Sequence, residues 1–542
     1  MEAIIIPKEF SRAEELIYQA KFDEALELLT RIEKIDIKDP IYRLKGLILK
    51  GRIHCYAGKY KEAIELGKIA YQLSKKLDLI AESVDALLIK AHVIYFGKRE
   101  EAIGIIMDTE RIFKPLMDDS TFDYSRQQAD ILLLRSKICR SKGELNEALE
   151  LAKECLSIQQ NLNNKLDLSN IYYHLGELYL YKSDSHSGLD YAMKSLDIQE
   201  ELGNKSGIAK SLYLVGTSYF VRGNFDQALK FEKQSLKTDE ISNLTKIESL
   251  DLLAGIYINR GQLDRAIRYR KRAINIAQKE NYGEQLIISY YGIATIYRRK
   301  GEFELATNYL KTSLDLSIKS NSSYGIQASL FILILTNLDN NSIDQARIYL
   351  KQLKEFSDQT ESNVYKNIFL IAKALVLKNS GRIRNLTEAE VLLKKFTEKE
   401  IQTPIIYRLA LVNLCEIFLE ELKFTNNVEV LDEIGPLINK IYKVAEEQNA
   451  YSWLAETILL QAKLALIQMN FDKTKQLLTQ AQRIAELHGF VLLALRISTE
   501  HDNLLAQLNE WDKLKQKNAP MSERIELASL NGVVSHARKK YN

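Results

Sequence analysis

The sequence predicts an all-α solenoid of antiparallel helical hairpins. The first observation behind this is a fixed period. Between Ile171 and Lys319 four segments overlay almost without gaps, with Gly188, Ala228, Ala266 and Ala306 in one slot at separations of 40, 38 and 40. A repeat of that length marks an array of stacked supersecondary units, each too small to bury its own apolar face. The second is a small residue followed three places on by tyrosine: Gly176/Tyr179, Gly216/Tyr219, Ala254/Tyr257 and Ala294/Tyr297. The third is a recurring turn, Gly223-Asn224-Phe225, Gly261-Gln262-Leu263 and Gly301-Glu302-Phe303.

Each element has a physical reading. Residues three or four apart share a helix face, so the small residue admits a second helix closely and the tyrosine fills the space beside it. The turn glycine tolerates the positive φ that ends a helix. Asp226, Asp264 and Glu304 open the next helix, where negative charge offsets the N-terminal dipole. The slot residues Gly188, Ala228, Ala266 and Ala306 are then a second close-contact point.

This combination resembles the tetratricopeptide repeat (TPR) family. The spacing near 40 is similar to the long-helix TPRs of Pins/LGN-type polarity scaffolds and of bacterial regulator sensor domains. The resemblance implies a right-handed superhelix with a concave groove lined by the first helix of each hairpin. It does not name a partner.

Residues 1–364 read as a regular array. Ser11-Arg12-Ala13-Glu14 fits a capping box, Asp39-Pro40 fits a helix start, and an insertion at 109–125 lengthens one interval, as slack or as a groove-lining feature. Residues 365–490 read as degenerate TPR-like hairpins, with Gly381 and Ala389 out of register and NNVEVLDEIGPL in place of a tight turn. Phe490 to Lys517 reads as one last helix capping the array. The tail, 518–542, reads as a short extra helix, a mobile tail or a docking segment. About twelve hairpins result.

Composition narrows the function. A repeat array overrides the domain count that 542 residues suggest, and six prolines suit long helices. The net charge of +3 argues against nucleic acid and charged membrane as partners. No apolar run reaches membrane-spanning length, and MEAIIIPKEF lacks the form of a signal peptide. Cys55, Cys139, Cys155 and Cys415 are scattered, which fits free thiols and a cytoplasmic location. Phosphate-loop, dinucleotide and zinc-protease motifs are absent, so neither a cofactor nor a metal is expected, and the chain reads as a non-enzyme. His174 and His186 read as structural histidines.

The implied groove follows from helical spacing. Its stripe is Tyr173, Glu177 and Tyr181; then Lys210, Tyr213, Thr217 and Phe220; then Glu248, Asp251, Gly255 and Asn259; then Tyr291, Thr295, Arg298 and Arg299. Tyr and Arg are enriched where proteins bind proteins. The expected site is an exposed peptide groove with an aromatic floor, an acidic patch and a basic end. A chaperone clamp is not expected, because Glu177, Thr217, Gly255 and Thr295 stand where such clamps and Pins/LGN-type grooves need asparagine. A basic run, Arg265, Arg268, Arg270, Lys271 and Arg272, is either a solvated face or an acidic-ligand site. Three functions remain open: an adaptor that binds a partner peptide or helix, a peptide- or ligand-sensing subunit whose output lies on another chain, and a self-assembling structural subunit.

Overall fold

The computed structural model describes residues 2–34, 39–94, 99–117, 123–162, 164–182, 184–359, 363–397, 404–447 and 450–528. All regular structure among them is helical. The first hairpins are α1 (Glu2–Tyr18) with α2 (Phe22–Lys34), α3 (Pro40–Tyr56) with α4 (Tyr60–Lys76), and α5 (Ile80–Ile94) with α6 (Arg99–Met117). Then come α7 (Ser125–Lys142) with α8 (Leu145–Leu162), α9 (Lys165–Tyr181) with α10 (Ser185–Glu201), and α11 (Lys205–Val221) with α12 (Phe225–Lys237). The middle continues with α13 (Asn243–Asn259) and α14 (Leu263–Glu280), α15 (Gly283–Arg299) and α16 (Phe303–Lys319), and α17 (Ser323–Asp339) and α18 (Ile343–Asp358). The rest is α19 (Asn363–Lys378) with α20 (Ile383–Thr397), α21 (Pro404–Thr425) with α22 (Val430–Glu447), and α23 (Tyr451–Ile467) with α24 (Phe471–Leu487). Three helices close the chain, α25 (Val491–Ala506) and the shorter α26 (Leu508–Gln516) and α27 (Met521–Leu527).

Odd- and even-numbered helices differ in kind. α13, NLTKIESLDLLAGIYIN, is apolar nearly all round; α14, LDRAIRYRKRAINIAQKE, has one apolar stripe and a charged face. A helix apolar on every side must be covered on every side, so odd helices form the inner layer and even helices the outer one. The tyrosine after each small residue stacks on a ring twelve residues later: Tyr179 on Tyr191, Tyr219 on Phe231, Tyr257 on Tyr269 and Tyr297 on Tyr309, with centroids 5.4–5.5 Å apart and planes within 8°. Paired serines join three outer helices to the next inner one, Ser195 to Ser211 at 2.9 Å, Ser235 to Ser249 at 3.2 Å and Ser313 to Ser329 at 3.0 Å. The turn glycines adopt positive φ, and the next N–H reaches back to the motif tyrosine's carbonyl, as from Asn224 to Tyr219 at 2.9 Å.

Three local expectations change, and the tail contains the short extra helix that is one of its three readings. Ser11 lies inside α1 and not at a helix start, because Phe10, buried and stacked on Tyr42, is part of a helix that begins at Glu2. Much of the 109–125 stretch extends α6, where Thr109 and Phe113 are buried and Phe113 meets Tyr124 edge-on; residues 118–122 lie outside the described residues. The last helix breaks at Gln507, whose carbonyl accepts from both Glu510 and Trp511, and the bend turns Trp511 fully into the core. Of the tail, 521–527 is α27, and 529–542 lies outside the described residues.

The superhelix winds tightly enough for successive turns to touch. A Cβ at Gly58, the tip of the second hairpin, would lie 2.9 Å from Ser242, which opens the seventh. Gly143, the tip of the fourth, faces Val364 of the tenth, and Gly223, the tip of the sixth, faces Tyr451 and His488 of the twelfth. Five or six hairpins therefore complete a turn. Phe225 meets Phe490 edge-on at 5.3 Å across the same seam, and Lys61 pairs with Glu280 at 3.4 Å.

Candidate functional site

This winding encloses a cavity of about 650 Å³ along the inner layer. Its wall takes residues from every odd helix from α3 to α15. Six basic side chains line it (Arg52, Arg126, Lys137, Arg140, Lys210 and Arg270), against seven acidic ones (Asp85, Asp130, Asp167, Glu177, Glu248, Asp251 and Glu284). A lumen so nearly neutral does not suit a polyanion.

One end is closed by α3, α5, α7 and α9. Tyr56 donates to Asp167 at 2.6 Å, and Asn164 Nδ2 donates to the same carboxylate at 2.7 Å. Arg126 pairs with Asp85 at 2.5 Å and Asp130 at 3.2 Å. Burial pushes the Asp130 carboxyl up to about 6 against the pull of Arg126. Arg52 lies over the Tyr18 ring, 5.6 Å from its centroid. Its Nη2, and Oε1 of Gln159, are buried without a hydrogen-bond partner.

At the centre Lys210 sits 4.2 Å over the Tyr173 ring, and Arg140 pairs with Glu177 at 2.8 Å. Burial, then the nearby Lys210, lowers Lys137 to about 7. Burial, then Glu177, pushes Glu248 up to about 8. Glu177 is opposite: burial acts upward, yet Arg140 and His174 hold it well below the ordinary range. His174 is buried, 2.8 Å from Ser136, and burial lowers it to about 4. At the far end Asp251 pairs with Arg270 at 2.7 Å and accepts from Ser289 at 3.2 Å.

The expected stripe divides. Tyr173, Glu177, Tyr181, Lys210, Tyr213, Phe220, Asp251, Gly255 and Glu248 line the cavity; Thr217, Asn259, Tyr291, Thr295, Arg298 and Arg299 do not. Thr217, Asn259 and Thr295 turn back onto carbonyls of their own helices, Tyr213, Gly255 and Gly292. Arg298 is tied to Asp339 at 2.5 Å, Tyr291 packs into the core, and Arg299 is exposed. The stripe is not an exposed floor. Tyr173 is only 6% exposed because it packs among Ala192 and Leu196 of α10 and Leu212, Leu214 and Val215 of α11, whereas Tyr181 is 61% exposed. The basic run disperses too: Arg270 faces the lumen, while Arg265 and Arg272 lie over Tyr257 and Tyr269.

The expected stripe, which runs from Tyr173 to Arg299, omits Arg52, Asp85, Arg126, Asp130, Lys137 and Arg140. A signal was available for Asp85, a charge on α5, which is otherwise apolar on most sides; α7, SRQQADILLLRSKICRSK, carries charges along its whole length, so nothing in its pattern marks Arg126, Asp130, Lys137 and Arg140 as the ones that face the lumen. Among the described residues one group, Cys139 with Glu144 and Glu147, brings three potential metal-ligand atoms within 4.8 Å of one another. Burial pushes the Cys139 thiol up to about 11, away from the thiolate a metal requires. The four cysteines are free thiols. No helix among the described residues is long and apolar enough to cross a membrane.

A family model described as the MalT-like TPR region matches residues 209–510, and two described as tetratricopeptide repeats match 167–241 and 129–162. No curated protein matches the chain. Among similar solved structures is a Rap protein complexed with competence and sporulation factor, 12% identical, covering 75% of this chain and 98% of that one, with a TM-score of 0.44. The apo quorum sensor NprR from B. thuringiensis is 13% identical over 74% of this chain and 99% of that one, TM-score 0.42. Yeast Tom70 is 13% identical over 90% and 97%, TM-score 0.42. With more than half its length matched by one repeat-family model, the chain belongs to the tetratricopeptide repeat family, through a MalT-like TPR region.

Proposed function

We propose that the chain is a non-catalytic binding protein that encloses a short peptide segment, or another compact ligand carrying both signs of charge, in its lumen, and that its output lies on another chain. Of the readings open from sequence, this is the sensing subunit. The observation that carries it is closure: contacts between successive turns wall off a cavity into which ionisable side chains converge from seven inner helices. A volume of about 650 Å³ lies in the range of small-ligand sites. Orphaned buried polar atoms such as Arg52 Nη2 cost roughly 1–3 kcal/mol each, a cost that a ligand supplying the partner removes. The mixed charge of the wall favours a zwitterionic segment over a simple anion or cation.

Native mass spectrometry of the protein purified from its own cells tests this, with extraction and sequencing of whatever it retains. The wild type is expected to carry a compact ligand that raises its melting temperature. Lys210→Gln, which alters the lumen and leaves the Lys61–Glu280 pair of the seam intact, is expected to lose both mass and stabilisation while keeping its circular dichroism. A wild type that retains nothing, and that no peptide or metabolite library stabilises, would sink the reading. The adaptor function draws support from a different surface, near the C-terminus.

A further inference from the structure

The inner surface of α21 and α23 is already occupied by a helix of this chain. α27 lies against those two inner helices, beyond the lumenal cavity. Met521, Ile525 and Ala528 are 6%, 1% and 4% exposed, while Glu523 and Glu526 on the other face are exposed. The groove holds both ends of this two-turn helix. Asn426, in the left-handed turn after α21, accepts from the Met521 N–H through Oδ1. Lys463 of α23 donates to the carbonyl of Ala528, at the C-terminus, where a cation complements the helix dipole. Arg524 donates to the carbonyl of Ile467 at the end of α23.

Lys463 follows Ala462, the small contact residue of α23, as Glu177 follows Gly176. It thus occupies the same inward position, here used to hold main chain. It also pairs with Glu500 at 2.7 Å, so its charge stays compensated when α27 leaves. A seven-residue helix has little stability of its own in water, and α27 hangs on a four-residue connection from Lys517 to Pro520. Such a tether gives an effective concentration on the order of millimolar, enough to seat a weak ligand that a partner at high local concentration replaces.

We propose that the α21/α23 groove is a second binding site, for a two-turn partner helix with large apolar side chains at positions 1 and 5, a small residue at position 8 and an arginine at position 4, and that α27 is its exchangeable internal occupant. The site is separate from the lumenal cavity and does not depend on the reading of that cavity.

The probe is a fluorescein-labelled peptide of residues 517–528, KNAPMSERIELA, titrated into the full chain by anisotropy. In the Met521→Asp/Ile525→Asp variant the internal helix is undocked and the groove untouched. The peptide is expected to bind this variant saturably and at least tenfold more tightly than the wild type. Adding Asn426→Ala, or placing Ile525→Asp in the peptide, is expected to abolish the gain. A second measurement uses the unmodified chain. By hydrogen exchange the α27 amides are expected to open independently of α21 and α23, and faster when unlabelled peptide is in excess. Failure of the peptide to bind the folded variant overturns the proposal, as does exchange of α27 only in concert with α21 and α23. If the variant does not fold, the exchange result on the unmodified chain decides.

Discussion

Tyr56 donates its phenolic hydrogen to Asp167 over 2.6 Å, joining α3 to α9 across 111 residues of chain. Together with Gly58 against Ser242, this bond narrows an open spiral into a partly enclosed lumen, open to solvent where Tyr181 lines it. Tyr56→Phe removes one hydrogen bond to a charged acceptor that keeps Asn164, so a loss of roughly 1.5–3 kcal/mol is expected. The closure should loosen with it. Cys155 lines the cavity and is nearly inaccessible, so maleimide labelling of Cys155 in the folded variant is expected to be several-fold faster than in the wild type. Unchanged labelling with a lowered melting temperature would separate stability from closure.

The stacked ring pairs are the repeated fastener of each hairpin. Tyr257 is 7% exposed and lies parallel to Tyr269, so Tyr257→Ala is expected to cost about 3–5 kcal/mol. Tyr257→Phe keeps the ring and is expected to cost under about 1 kcal/mol, because the area and the stacking survive. Chemical denaturation of both variants checks this. Equal losses would place the energy in the hydroxyl rather than the ring.

Glu232 is fully buried under Gly216, and burial raises its carboxyl well above the ordinary value, which favours the protonated form in the folded chain. The unfolded chain releases that proton above roughly pH 4.3. Between there and the raised folded value the unfolded state binds fewer protons, so this group makes stability fall as pH rises, by up to about 1.4 kcal/mol per pH unit. Glu232→Gln keeps the shape and removes the titration. The variant is expected to be more stable than wild type at pH 8 and to match it near pH 4, read by urea unfolding at both.

The hairpins were legible because their determinants are local. Gly176, Tyr179 and Gly188 meet within one hairpin, so a period in the sequence encodes them directly. The ring partners were legible too and were overlooked: Tyr191, Phe231, Tyr269 and Tyr309 each stand three residues after the slot residue. The closure was not legible. Tyr56 and Asp167, or Gly143 and Val364, meet only because small rotations at each hairpin interface accumulate over five or six repeats, and no single interface states the sum. That is why nine of the fifteen residues of the expected stripe line the cavity and Tyr291, Thr295 and Arg298 do not. The self-docking of α27 was hidden for the same reason. Its partner Asn426 lies 95 residues from Met521, in a turn whose sequence shows only the loss of the repeat motif.

Two helical glycines, one in the repeat's close-contact slot and one outside it, should respond oppositely to alanine. At Gly188 a Cβ would stand 2.6 Å from Leu180 Cδ2 and 3.4 Å from the Gly176 carbonyl, where α9 and α10 cross at their closest. Backbone on one side and a packed leucine on the other leave little room, so Gly188→Ala is expected to cost about 1–3 kcal/mol. At Gly104, exposed within α6, a Cβ would meet nothing within 4 Å, and φ is not positive. Gly104→Ala then only restricts the unfolded chain and improves helix propensity, so a gain of roughly 0.5–1 kcal/mol is expected. Thermal melts of the two variants against wild type check both signs at once. A loss at Gly104 as large as that at Gly188 would mean that α6 is covered on its outer face, and would point to a contact made there by another molecule.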